Sequence, residues 1–128
     1  MKLAKTKWVK IEYQLSNAAH AEYTPGTADL VAFIFVHLPP LLRSSLHQKA
    51  INWLKPGGRI FLEAFHPMQL QNSSGGPTEL SMLYTEEMIR KDFQSLDIEL
   101  LSTEKIILSE GNYHMGVADI IRFVGTKK

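Results

Sequence analysis

Five histidines, at positions 20, 37, 47, 66 and 114, are the residues of this 128-residue chain best suited to moving a proton near neutral pH. Two of them stand in matching contexts. His37 follows an apolar run in ADLVAFIFVHLPP, residues 28–40, and His66 does the same in GRIFLEAFHP, residues 58–67, with proline close behind each. If the two runs are neighbouring parallel strands, the chain paths at the two imidazoles lie about 5 Å apart, at the strand ends where open α/β sheets bind ligands. Both rings could then touch one small ligand. The plainer alternative is that each imidazole bonds a nearby carbonyl and each proline only stops a strand. Tyr113 and His114, in EGNYHMG, would face the same rim if the last two strands form a hairpin pointing that way, or would sit idle on an exposed tip.

Explicit chemical motifs are otherwise missing. There is no His-x-x-x-His or His-Glu-x-x-His spacing, no Gly-x-Ser-x-Gly elbow and no phosphate-binding Walker loop. No metal site is expected from spacing, although three rim histidines could build one in space. With no cysteine, disulfides, thiolate metal sites and cysteine nucleophiles are excluded. Glu63, inside an apolar strand, calls for a partner and is read as half of an ion pair. His47, mid-helix among polar neighbours, is read as a surface residue.

The elements that would hold these residues follow from periodicity. Residues 8–15, WVKIEYQL, alternate apolar and polar and predict a first strand. A loop ending at Pro25-Gly26 follows. Residues 30–36 are continuously apolar, which suits a central parallel strand covered on both faces. Pro39-Pro40 stops that strand and opens a helix whose packed stripe is Leu42, Leu46, Ala50 and Trp53-Leu54, leaving Arg43, Gln48, Lys49 and Asn52 outside it. Pro56 ends the helix and Gly57-Gly58 lead into the strand RIFLEAF, completing a right-handed strand-helix-strand unit. The long connection 67–84, with Ser73-Ser74-Gly75-Gly76-Pro77, reads as a lid. Thr85 caps a helix over about 86–95, with Ile89 and Phe93 packed and Arg90, Lys91 and Asp92 solvated. Two β-rich runs, about 98–108 and 116–125, form a hairpin.

Composition narrows the class. Hydrophobic residues are 45% and charged residues 21%, ordinary for one soluble globular domain, here 1–128. Fourteen Lys and Arg against thirteen Asp and Glu give a net charge of +1, which offers little attraction for nucleic acid or an anionic membrane. No long apolar run predicts a membrane span, and nothing predicts export, so a cytoplasmic location is expected.

The order DLVAFIFVHLPP, an amphipathic helix, LKPGGRIFLEAFHP, then GGP, LYT before a helix, and EGNYHMG in a hairpin resembles the class I S-adenosylmethionine-dependent methyltransferases, in particular small bacterial proteins similar to tellurite-resistance methyltransferases. The resemblance runs from about Trp8 onward. It implies an α/β, Rossmann-like mixed sheet, mostly parallel with a C-terminal antiparallel hairpin, and helices packed on it. It also implies a truncated domain, because the family's first strand with its glycine-rich cofactor loop, and the second strand with its acidic ribose ligand, have no counterpart. By resemblance, Asn17 and Ala18 would touch adenine, Phe35, Val36, His37 and Leu38 would line the methyl-donor side, and His66, Tyr84, Tyr113 and His114 would face a small-molecule substrate, with His37, His66 and His114 the catalytic candidates. Asn17 stands where the family usually has an acidic residue.

The missing strand would leave one edge of the apolar strand 30–36 open, and such edges invite pairing. A homodimer, with strands exchanged, or a second polypeptide supplying the missing half is therefore expected. Two functions remain open: a methyltransferase-like protein unable to bind S-adenosylmethionine alone, and a non-catalytic dimeric remnant acting as a binding module.

Overall fold

The computed structural model describes residues 10–109 and 115–128. Strand β1, Ala28–Ile34, leads through a short rim loop into helix α1, Pro40–Trp53, and back through β2, Leu54–Phe65. Helix α2, Glu86–Asp92, precedes the long strands β3, Leu96–Ser109, and β4, Met115–Lys127. The sheet order is β1-β2-β4-β3, with β1 parallel to β2 and β4 antiparallel to both β2 and β3. Strand β3 therefore runs in the direction of β1 and β2, and the pair Ser109↔Met115, the last of the β3–β4 ladder, lies toward the same sheet end as the carboxyl ends of β1 and β2.

The punctuation in the sequence explains these elements. Pro40 opens α1, where its missing N–H leaves no helical bond unmade, and Arg43 N donates to Pro39 O at 2.8 Å. The helix stops at Trp53, and β2 begins at once. Between the pairs Ala28↔Leu54 and Leu30↔Arg59 the register jumps, so the Pro56-Gly57-Gly58 stretch is absorbed as an irregularity in β2. Gly57 adopts φ +84°, a left-handed conformation that favours glycine. Thr85 caps α2 by accepting a bond from Met88 N at 3.2 Å.

Both helices cover one face of the sheet. The main core joins Phe33 of β1, Leu46, Ala50 and Trp53 of α1, Ile60, Leu62 and Ala64 of β2, Ile89 and Phe93 from α2 and its end, and Ile121 and Phe123 of β4. Strand alternation sends Phe65, Leu108, Ala118 and Ile120 to the opposite face, where they form a second core with Leu83. That core is roofed by the 67–84 connection, which is folded down on the sheet through 3₁₀ turns at Pro67–Gln71 and Leu80–Met82. Gln69 Oε1 accepts from Asp119 N at 2.9 Å and Ser74 Oγ donates to Val117 O at 2.7 Å, both from buried side chains.

Five expectations need correction. Residues 10–15, the described portion of the expected first strand, join no sheet, and Ile11, Tyr13 and Leu15 are exposed. Strand β1 is parallel as expected but lies at the sheet edge, and only one of its faces is covered: Phe33 is buried while Leu30 and Ile34 are about half exposed. The segment's apolar character thus exceeds the cover it receives here. The packed stripe of α1 is rotated by about one residue, so that Arg43, Leu46, His47, Ala50 and Trp53 are the buried set. His47, expected at the surface, is 1% exposed, and Asp92, expected in a solvated face of α2, is 5% exposed.

Candidate functional site

The rim at the carboxyl ends of β1 and β2 is shaped by one backbone kink. Phe35, directly after β1, has φ +53°, a conformation L-residues adopt only at some strain. It is held there by its N–H, which donates to Glu63 O at 2.7 Å, and by its ring, 4.7 Å from that of Phe65. The kink ends the sheet pairing and turns Val36, His37 and Leu38 across the top of the sheet, where Val36 and Leu38 pack against the main core.

His37 is built into this rim on both sides of its ring. Its Nδ1 lies 2.7 Å from Met82 O, which can only accept, and its Nε2 lies 3.2 Å from Phe65 N, whose hydrogen it must receive. The ring is therefore the tautomer carrying its proton on Nδ1, and it ties the end of β2 to the 80–82 turn. It also stacks on Phe65 at 5.6 Å and meets the edge of Tyr84 at 5.5 Å.

His66 plays a different part. Its backbone N–H donates to Asp119 O at 2.9 Å, continuing the β2–β4 pairing, and its Nδ1 accepts from Met68 N at 3.1 Å, capping the 3₁₀ turn. Beside it is the carboxylate of Asp119, held below the usual range first by the Lys105 ammonium, 2.8 and 2.9 Å away, then by Asn72 and by the neighbouring His66, against a smaller penalty from burial. This polar cluster pins the 67–77 connection to β4.

Tyr84 is 1% exposed and sits beneath the rim, not on it. Its hydroxyl lies 3.1 Å from Val36 O and 3.3 Å from His47 Nε2. His47 in turn places Nδ1 2.8 Å from Asp92 Oδ2, which also accepts from Arg43 Nε at 3.0 Å. Burial pushes the His47 pKa down and opposes the charge of Asp92, yet His47 and Arg43 together hold the Asp92 carboxyl below its ordinary value. Burial likewise raises the Tyr84 phenol. The rim loop therefore rests, through one hydroxyl, on a buried ionic network. Its sequence signal was Arg43 and His47 at i and i+4, flanking Leu46 on one helix face.

Of the remaining candidates, Asn17 caps a 3₁₀ turn, Ala18–His20, by accepting from Ala19 N at 2.9 Å. Ala18 packs on the main core beside α1. Glu63 pairs with Arg122 at 2.8 Å, as expected of an ion pair. Tyr113 and His114 lie outside the described residues. The structure thus gathers His37, Tyr84 and the 35–38 loop into one unit, places His66 at the adjoining strand end, and puts Asn17 and Ala18 at the flank of α1. Among the described residues, no cluster of three or more His, Asp or Glu is arranged to hold a metal ion.

Two hollows lie away from the rim. A groove of about 460 Å³ follows the outer side of β1, which has no strand partner there among the described residues, and is lined by Tyr23, Thr27, Leu30, Val31 and Trp53 among others. A smaller one of about 150 Å³ lies on the sheet face opposite the helices, between Ile34, Phe61, Leu100 and Val124. Among the described residues no helix is long and apolar enough to cross a membrane.

No protein-family model matches the chain, and no curated protein matches it in sequence. Its fold does match solved structures. An S-adenosylmethionine-dependent methyltransferase from Methanosarcina mazei superposes with a TM-score of 0.68 at 16% identity, over 93% of this chain and 68% of the other. TehB from Haemophilus influenzae gives a TM-score of 0.74 at 12% identity, covering 99% of this chain and 44% of TehB. The N-methyltransferase NodS from Bradyrhizobium japonicum, in complex with S-adenosyl-L-homocysteine, gives 0.65 at 11% identity, covering 98% of this chain and 58% of NodS. The chain spans 44% to 68% of the lengths of these three structures. At this level of identity it is the architecture that is shared, and the chain has the α/β fold of a part of these methyltransferase structures.

Proposed function

We propose that this chain forms one wall of an S-adenosylmethionine site in a methyltransferase-like protein and does not bind the cofactor by itself. The observation that carries this reading is the kinked loop Phe35–Leu38 at the carboxyl end of β1, held rigidly beside the end of β2 in a fold shared with methyltransferases. The residues present fit the cofactor only in part. No glycine-rich turn follows a strand at the open edge of β1 among the described residues, and the Asn17 oxygen already caps a turn. On this reading the nucleotide grip is supplied from outside the described residues, by further polypeptide docked along that edge.

Isothermal titration of the purified chain with S-adenosylmethionine and with S-adenosylhomocysteine tests this. No heat at millimolar ligand is expected. Saturable binding in the micromolar range by the lone chain would overturn it.

The second reading is a non-catalytic, strand-exchanged homodimer that serves as a binding module. It is supported by the open β1 edge with its groove, and by residues 10–15, which have strand-like alternation but no strand partner. Light scattering separates the two: a dimer with no response to cofactor supports this reading, and a monomer removes it.

A further inference from the structure

We propose that Tyr84 couples the protonation of His47 to the position of the rim loop 35–38, because its single hydroxyl hydrogen is contested by His47 and by the Val36 carbonyl. The geometry contains the whole argument. His47 Nδ1 faces the carboxylate oxygen of Asp92 at 2.8 Å, so Nδ1 carries a hydrogen. In the neutral ring Nε2 then offers a lone pair to the Tyr84 hydroxyl, 3.3 Å away, while Val36 O offers another at 3.1 Å. One hydrogen cannot serve both acceptors fully.

A proton added at His47 Nε2 resolves the conflict. Nε2–H donates to the Tyr84 oxygen, and the Tyr84 hydrogen passes wholly to Val36 O. The result is an unbroken donor chain from His47 through Tyr84 to the rim, with Asp92 accepting at the other end from Nδ1–H and from Arg43. The coupling is reciprocal. A ligand that draws the Val36 carbonyl away from Tyr84 leaves the hydroxyl free to donate to Nε2, which stabilises neutral His47 and releases a proton.

The groups that face His47 are few. Asp92 of α2 and Arg43 of α1 carry the charges, Tyr84 approaches from the segment before α2, and Phe33 and Phe93 supply only rings at 5.1 and 4.5 Å. His37 lies beyond Tyr84, with the two ring centres 5.5 Å apart. Desolvation, opposed by Asp92 and assisted by Arg43, lowers the His47 pKa from its ordinary value of 6.5, so the exchange belongs below that pH. The inference holds whether or not the chain takes part in a cofactor site, so its failure leaves the functional proposal standing.

The test is a pH titration of the ¹³C,¹⁵N-labelled protein by NMR, following the ring nitrogens of His37 and His47, the Tyr84 Cζ and the Val36 carbonyl carbon. Val36 and Tyr84 are expected to shift with the midpoint of His47, below pH 6.5, the ordinary histidine value. In Tyr84→Phe the Val36 response is expected to disappear while His47 still titrates. Should that variant not fold, the wild-type midpoints decide alone. A Val36 carbonyl that stays constant while His47 titrates, or that follows His37 instead, would overturn the proposal. So would a Val36 response that survives in Tyr84→Phe, or a His47 that stays neutral until the protein unfolds.

Discussion

Asp92→Leu should be among the most destabilising single changes in this chain. In the folded protein Asp92 Oδ2 accepts from two buried donors, Arg43 Nε at 3.0 Å and His47 Nδ1 at 2.8 Å, and the Arg43 and Asp92 side chains are only 10% and 4% exposed. Removing the carboxylate leaves the guanidinium charged in a site closed to water and strips the His47 N–H of its acceptor. Breaking a buried pair from one side costs about 3–5 kcal/mol. Against a total stability of about 5–15 kcal/mol for a domain of this kind, that is a large fraction. Replacing both partners, as Arg43→Met with Asp92→Leu, removes the unpaired charge and should recover more than half of the loss, because methionine and leucine can fill the site without needing partners. The assay is urea unfolding followed by the fluorescence of Trp53, which packs in the same core, with both singles and the double measured at pH 7. A loss below about 1 kcal/mol for Asp92→Leu would place the pair among ordinary surface ion pairs. A double variant as unstable as the sum of the singles would show that the partners do not interact. Either result refutes the reasoning.

Three further outcomes are expected. Stability should be fully present above pH 6.5 and fall as the pH drops toward the depressed folded pKa of His47, since the unfolded chain takes up that proton first; the slope from one group is at most about 1.4 kcal/mol per pH unit. Asp92, also depressed, adds a loss in the same direction below its ordinary 3.8, and urea midpoints from pH 7 to pH 5 that do not move would contradict the His47 contribution. Gly76→Ala should cost more than about 1 kcal/mol, because the residue has φ +92° and a new Cβ would lie 2.7 Å from Phe65 Cδ2, with loosening of the second core readable as faster amide exchange at Ile120. Thr85→Ala should cost about 1 kcal/mol through loss of the α2 cap, and an unchanged urea midpoint would show that the cap does not contribute.

What the sequence revealed and what it hid differ in kind. The β1–α1–β2 unit was legible because prolines and glycines act locally: Pro39-Pro40 cannot continue a strand, and Pro56-Gly57-Gly58 cannot continue a helix. The hairpin was legible for a similar reason, since the short link allows only antiparallel return. The placement of β1 was not, because an apolar run states how much cover a strand could use and not how much it receives. Residues 10–15 show the same limit, as alternation marks a segment fit to pair without supplying a partner. At the candidate site, His37 and His66 do mark the ends of adjacent parallel strands. Their bonds differ: His37 bonds Met82 O and Phe65 N–H, and His66 accepts from Met68 N and caps a turn. The network of Arg43, His47 and Asp92 went unread because a helical stripe inferred from apolar residues alone passes over charged side chains that neutralise one another inside it.

The length of the β3–β4 ladder also bears on how the sheet assembles. Its register runs from Ser109↔Met115 at the rim to Leu96↔Lys127 at the far end, so every pair can zip from a neighbour already closed. The β1–β2 pairing instead must bring together Leu30 and Arg59 across an intervening helix, and meets the larger loop-closure entropy before any contact rewards it. The hairpin is thus the most local part of the sheet, whereas β2 joins distant partners on both of its sides and β1 stands outermost in the strand order.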